Sequence, residues 1–78
     1  MVTAFVLVNI GLGAEYKIVD ELRKITNVKE ACVTYGVYDI IAWVEAESLE
    51  KLKEIVTTRI RSIHNVRATL TTVVAEES

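Results

Sequence analysis

The sequence has 78 residues, which is enough for one domain with a small core. Its net charge is −2 at pH 7 and its basic residues are scattered, so it lacks the charge pattern of a nucleic-acid-binding protein. Its one cysteine excludes an intramolecular disulfide, and no Cys or His spacing is typical of a metal site. Hydrophobic residues make up 51% of the chain, more than so small an interior is expected to bury. We therefore expect an oligomer.

The hydrophobic pattern, taken in chain order, predicts four strands and two helices. The predicted strands are residues 2–10, 28–35, 38–46 and 66–75. The first helix begins at Ala14 and is stopped by residues 26–27. The second begins after Ser48, which is predicted to cap it, and ends at Asn65. Cys32, in the second strand, is expected to be a small core residue.

The order β-α-β-β-α-β also contains an internal repeat. The two halves match at an offset of 38 residues, and the segment 27–29 (Asn-Val-Lys) falls on 65–67 (Asn-Val-Arg). A doubled β-α-β unit predicts an α+β, ferredoxin-like fold over residues 1–78, treated as one domain. Right-handed crossovers then place both helices on one face of a four-stranded antiparallel sheet, with strands one and three in the centre.

The other face of this sheet has no helix to cover it. Alternation along the two central strands places four large apolar side chains there, and we call them the open-face cluster: Phe5, Leu7, Ile41 and Trp43. An exposed apolar patch of this kind is typical of an interface. We expect a symmetric dimer that packs sheet against sheet, an assembly of the dimeric α/β-barrel type. The alternative is a sheet face that is merely apolar.

Several kinds of site and segment have no support in the sequence. His64 is the only histidine, and its place after the second helix favours a helix cap or an exposed side chain over catalysis. Glycines at 11 and 13 indicate a turn, because the rest of a dinucleotide-binding motif is missing. We expect no enzyme, catalytic residue, cofactor or metal. The apolar run at 1–10 is too short to span a bilayer and lacks the positive start of a signal peptide, so a cytoplasmic protein is expected.

Asp39 is an isolated carboxylate beside an apolar strand. No Lys, Arg or His occurs within six residues of it, and burial of an unpaired carboxylate is costly. Gly36 allows a positive φ, so the segment 36–38 is predicted to form a tight hairpin with exposed backbone amides. In one interpretation Asp39 accepts hydrogen bonds from that hairpin, as in an Asx turn. In the other, the carboxylate and the amides form half of a small polar site suited to a zwitterion.

Two motifs resemble a known family. The Gly36-x-x-Asp39 hairpin is similar to that of the effector-binding domain of Lrp/AsnC transcriptional regulators, also called the RAM domain. The strand at 66–74 looks like the family's Val-x-x-Thr-x-Thr strand. The resemblance covers residues 2–75.

The resemblance implies a non-enzymatic module for amino-acid-responsive oligomerisation, related to transcription regulation of amino-acid metabolism. It implies sheet-packed dimers, often assembled into larger rings, with a free amino acid bound between dimers. By position, the implied ligand contacts are Gly36, Val37, Tyr38 and Asp39, with Thr69 and Thr71 from the last strand. The threonines have a plainer explanation, since Thr is common on half-exposed strands.

Full-length members of this family carry a helix-turn-helix domain, whereas the first strand here begins at Val2, so we expect no such domain and no direct DNA binding. Membrane binding is not expected either. Full-length Lrp/AsnC regulators are candidate partners. Two alternatives have the same topology. One is an ACT-like regulatory subunit of a metabolic enzyme, and the other is a small dimeric α/β-barrel enzyme, such as a monooxygenase or isomerase. The lone His64 argues against the enzyme.

Overall fold

The computed structural model describes residues 1–75, and its elements follow the predicted order. The elements in chain order are β1 (Val2–Ile10), α1 (Glu15–Arg23), β2 (Val28–Val33), β3 (Ile40–Ala46), α2 (Leu49–Ile55), a π-helical turn (Val56–Ile60) and β4 (Val66–Val73). The ferredoxin-like α+β fold is therefore confirmed. β2 and β4 end two residues earlier than predicted, and β3 begins two residues later.

The four strands form an antiparallel sheet in the order β2-β3-β1-β4. This order confirms that β1 and β3 occupy the centre. Their register pairs Val6 with Ala42 and Phe5 with Trp43. Residues that face each other in this register share one side of the sheet, so the pairing fixes which side chains lie together.

The core fills the space between the sheet and its helices. Alternate residues of the two central strands are fully buried: Ala4, Val6, Val8, Ile40, Ala42 and Val44. The helices contribute the matching apolar stripes, including Ile18 and Leu22 from α1 and Leu52 from α2. Each helix buries one side only, as its period of 3.6 residues requires.

The second helix begins as predicted and then changes geometry. The Ser48 hydroxyl accepts a hydrogen bond from the Lys51 amide at 3.1 Å, which confirms the predicted cap. From Val56 the helix widens into a π-helical turn, and the Arg61 amide donates to the Val56 carbonyl at 2.9 Å. π-helical turns are rare and are found frequently at functional sites. The hydrophobic stripe gave no signal of this change.

The two halves of the repeat are tied together by equivalent asparagines. The Asn27 side chain donates to the Glu45 carbonyl at 2.9 Å, and the Glu45 amide donates to the Asn27 carbonyl. In the other half, the Gly11 amide donates to the carbonyl of Asn65, which ends the helical segment with φ of 75°. A side chain at Gly11 would crowd Asn65, with a Cβ 3.3 Å from its amide oxygen.

Cys32 is exposed, so its prediction as a core residue was wrong. Its neighbour Ala31 is fully buried and pairs with Ala42. Alternation along β2 therefore turns Cys32 to the other face of the sheet, where it pairs with Ile41. Cys32 thus flanks the open-face cluster rather than the core.

Candidate functional site

The loop that joins β2 to β3 spans residues 34–39 and is closed by one threonine. The Thr34 amide donates to the Asp39 carbonyl at 2.8 Å, and the Thr34 hydroxyl donates to the Tyr38 carbonyl at 2.8 Å. Gly36 has φ of 146°, a conformation that favours glycine. The loop is longer than the tight hairpin that we predicted, and Thr34 was not among the predicted site residues. A Thr at the end of a strand that leads into a glycine turn is the signal that could have identified it.

The tip of this loop is open to solvent. Tyr35 is 99% exposed and Val37 is 84% exposed. Among the described residues, the amides of Gly36, Val37 and Tyr38 donate to no protein group. Three consecutive unpaired amides can receive an anion such as a carboxylate.

Asp39 is anchored to the central strand rather than to its own loop. Its Oδ2 atom accepts a hydrogen bond from the Ile10 amide at 3.0 Å. Its own amide donates to the Val8 carbonyl at 3.0 Å. The carboxylate therefore adds one hydrogen bond to β1 at the residue just before β3 begins. The Asx-turn interpretation is not what the structure contains, because the donor lies 29 residues away in the sequence.

This anchoring leaves part of the carboxylate available. Asp39 is half-buried, and its Oδ1 atom has no hydrogen-bond donor among residues 1–75. One oxygen is thus fixed by β1 while the other can accept from a bound group. A carboxylate held in place beside unpaired amides can bind a small molecule that carries both an ammonium and a carboxylate.

Thr69 and Thr71 lie on a different side of the sheet. They pair with Val8 and Val6, whose side chains are buried under the helices, so the threonines also face the helix layer. Together they line a groove of about 350 Å³ between β4 and α2, and Asp39 is not part of its lining. Because β1 stands between Asp39 and β4, one chain does not bring the predicted ligand contacts into a single pocket.

The open-face cluster forms a continuous apolar surface. Phe5 lies directly opposite Trp43, with ring centroids 5.8 Å apart, and Leu7 lies opposite Ile41. Leu70 of β4 pairs with Leu7 and extends the surface to the edge of the sheet. Trp43 is 42% exposed and Leu70 is 49% exposed in the isolated chain.

The described residues contain no candidate metal-binding cluster. Within residues 1–75, no three His, Cys, Asp or Glu side chains lie close enough together to hold a metal ion. His64 is exposed after the π-helical turn, in the region where it was predicted. No helix within this part of the chain is long and apolar enough to cross a membrane.

Comparisons with known proteins identify the family and agree with the fold. The chain matches the family model of the Lrp/AsnC ligand binding domain over residues 3–78. The hypothetical protein PHS023 from Pyrococcus horikoshii is 38% identical, with a TM-score of 0.91 over 99% of this chain and 93% of that chain. TTHA0845 from Thermus thermophilus is 28% identical, with a TM-score of 0.95 over 100% of this chain and 98% of that chain. A search of curated proteins found no match.

A more distant likeness includes a bound ligand. The transcriptional regulator NMB0573 from Neisseria meningitidis, solved as a complex with L-Met, is 20% identical with a TM-score of 0.88. This chain is covered to 97%, but it spans only 51% of that regulator, and at this identity the likeness shows the fold alone. The family match over almost the whole length carries the assignment, and the chain belongs to the Lrp/AsnC ligand binding domain family.

Proposed function

We propose that this chain is a non-enzymatic module that oligomerises in response to a free amino acid, in the service of transcription regulation of amino-acid metabolism. Membership of a family of ligand-binding domains supports a regulatory role rather than an enzymatic one. The amino acid binds beside the loop at residues 36–39, at a seam between dimers. Full-length Lrp/AsnC regulators are the partners that such a module would join in mixed assemblies.

The observation that carries this proposal is the pairing of a fixed carboxylate with unpaired amides. The ammonium of an amino acid would donate to the free Oδ1 of Asp39, while its carboxylate accepts from the amides of residues 36–38. Both contacts are charge-assisted, and such hydrogen bonds are about twice as strong as neutral ones. These contacts involve the ammonium and carboxylate groups that all amino acids share, so they do not distinguish one amino acid from another.

The site is proposed to be complete only when two dimers meet. Thr69 and Thr71 lie across β1 from Asp39, so a ligand that contacts both sets would use the loop of one copy and the threonines of another. The almost fully exposed Tyr35 and Val37 beside Asp39 support this arrangement, because a second copy would cover them. Ligand binding and ring assembly would then favour each other.

The dimer itself is proposed to close through the open-face cluster. Four large apolar side chains, with Leu70 beside them, form one surface across three strands. Sheet-on-sheet packing would remove this surface from water at about 25 cal/mol per Å² of apolar area. A twofold axis through the sheet face would place the same cluster on both sides of the contact.

Titration calorimetry of the wild-type chain against each of the twenty amino acids tests the proposed effector. At least one amino acid should bind, and the number bound per chain should reflect the number of seams between dimers. Its amine analogue without the carboxylate should bind at least about tenfold more weakly, because the loop amides lose their charged acceptor. If none of the twenty binds, the proposed effector function is wrong.

This 78-residue chain is expected not to bind DNA specifically. Its net charge is −2, and α1 and α2 each bury one face against the sheet. A gel-shift assay at physiological salt with the promoter region of its own gene should show no specific complex. A sequence-specific shift without any partner protein would contradict this prediction.

A further inference from the structure

A groove on the helix side of the molecule collects positive charge. It has a volume of about 490 Å³ and lies between α1 and the segment that follows the π-helical turn. Lys17 and Lys24 line it from the side of α1, and Arg59 lines it from the π-helical turn. His64 completes the rim, and among residues 1–75 Glu21 is the one carboxylate in the lining. The groove thus carries a net of two positive charges in a chain whose net charge is −2.

Within residues 1–75, these cations form no salt bridge, and Glu21 offsets one of their three charges. The one salt bridge within residues 1–75 joins Lys51 to Glu54 at 2.9 Å, where the hydrogen bond and charge of Lys51 lower the pKa of Glu54. Lys17, Lys24 and Arg59 have no such partner in the same part of the chain. Like charges that face each other across a groove repel, and a bound anion would relieve that repulsion.

The groove also has an apolar wall and an unusual backbone. Ile18 and Ile25 are buried at its base, and Ile63 packs beside them. Arg59 belongs to the five-residue π-helical turn, a geometry found frequently at functional sites. Asn65, at the other end of the lining, has φ of 75°, as Asn often does where a helical segment ends.

We propose that this groove binds a phosphorylated small molecule of mononucleotide size, a function separate from the effector site at residues 36–39. A phosphate monoester carries about −1.5 to −2 charges at pH 7, which matches the net charge of the lining. Arg59 can hold phosphate oxygens through two parallel hydrogen bonds, with the lysines as further charges. Ile63, the half-buried isoleucine of the lining, contacts the apolar part of the ligand. Pockets of roughly 300–1,000 Å³ are the usual size for such ligands.

The groove remains accessible in the proposed sheet-packed dimer. The open-face cluster lies on the opposite side of the sheet from the helices, so a sheet-packed dimer leaves the groove uncovered. The two functions can therefore be measured in the same preparation. Failure of one leaves the other intact, because they use different residues.

The experiment uses the whole chain with AMP, adenosine and inorganic phosphate as probes. AMP should bind at least about tenfold more tightly than adenosine, because the phosphate supplies the charged contacts. AMP should also bind more tightly than inorganic phosphate, because Ile63 adds apolar contact. In an NMR titration, AMP should shift the amides of Ser62 and Asn65 and leave those of residues 36–38 in place.

Two matched variants test the placement. Arg59→Gln removes an exposed cation from the groove and should weaken AMP binding by about tenfold or more. Lys51→Gln removes the same charge from an exposed site on α2 outside the groove and should leave binding nearly unchanged. The proposal fails if AMP does not bind at millimolar concentration, if adenosine or phosphate binds as tightly as AMP, or if both variants weaken binding equally.

Discussion

Replacing Trp43 by Asp is expected to convert the proposed dimer into a folded monomer. Burial of one large apolar side chain contributes about 1.5–3 kcal/mol, and a twofold interface loses two copies of Trp43. The dissociation constant should therefore rise by about two to four powers of ten, before the cost of burying a carboxylate is added. Within the monomer Trp43 is 42% exposed, and its ring contact with Phe5 contributes about 0.5–1.5 kcal/mol in addition to the area that the ring buries there.

Light scattering or sedimentation at micromolar concentration measures this change. Tyr16→Asp is the matched control, because it introduces the same charge at an exposed aromatic residue of α1, away from the sheet face. In Trp43→Asp the new carboxylate lies opposite Glu30, which adds repulsion within the monomer. Leu70→Asp places the new charge away from Glu30, because Leu70 lies on β4 and pairs with Leu7 of β1. A wild-type chain that is monomeric, or a Leu70→Asp variant that dimerises like wild type, would contradict the proposed interface.

The fold was accessible from the sequence because its signals are periodic and repeated. The alternation in β1 and β3 and the apolar stripes of the helices predict the same buried core. The 38-residue repeat predicts the same β-α-β unit in each half of the chain. The paired roles of Asn27 and Asn65 show that the repeat extends to the loops, where each asparagine holds a neighbouring segment by backbone hydrogen bonds. Local pattern and global topology therefore reinforce each other.

Features that depend on local detail or long-range pairing were harder to predict. Cys32 was misplaced because β2 alternates only loosely and its register with β3 shifts between Val28 and Glu30. The π-helical turn left no mark in the hydrophobic stripe, because Val56 and Ile60 are buried in that geometry as they would be in an α-helix. Helical periods that differ by less than one residue per turn bury nearly the same positions over one turn.

The candidate site was identified from the free-energy cost of burying an unpaired carboxylate, not from a periodic hydrophobic pattern. A carboxylate without a nearby cation had to have a partner, and this pointed to Asp39. The identity of that partner, the Ile10 amide, depends on how β1 and β3 align across 29 residues, which no local motif encodes. The free amides of the loop were expected from Gly36, whereas the closing role of Thr34 was not.

Asp39 is expected to serve both the fold and the ligand, and two substitutions separate these roles. Asp39→Ala leaves the Ile10 amide without an acceptor, which should lower the free energy of unfolding by about 1–3 kcal/mol. For a domain of this size, each kcal/mol lowers Tm by about 4–8 °C. Asp39→Asn keeps an oxygen that accepts from Ile10, but it places an NH2 group where the free Oδ1 stood, so the charge and the free acceptor are both lost. Its Tm should therefore stay much closer to that of the wild type.

Binding of the amino acid found by calorimetry should respond differently from stability. A charge-assisted hydrogen bond contributes about 1.5–3 kcal/mol, so both Asp39 variants should bind about tenfold to a hundredfold more weakly. Asp20→Asn removes the same charge from an exposed position on α1 and should bind like wild type. If Asp39→Asn binds as tightly as wild type while Asp39→Ala melts much lower, the carboxylate serves only to hold β1 and the loop together. If Asp39→Asn is as stable as wild type but binds weakly, the free oxygen of Asp39 is the ammonium acceptor, since that position then carries an NH2 donor and no charge.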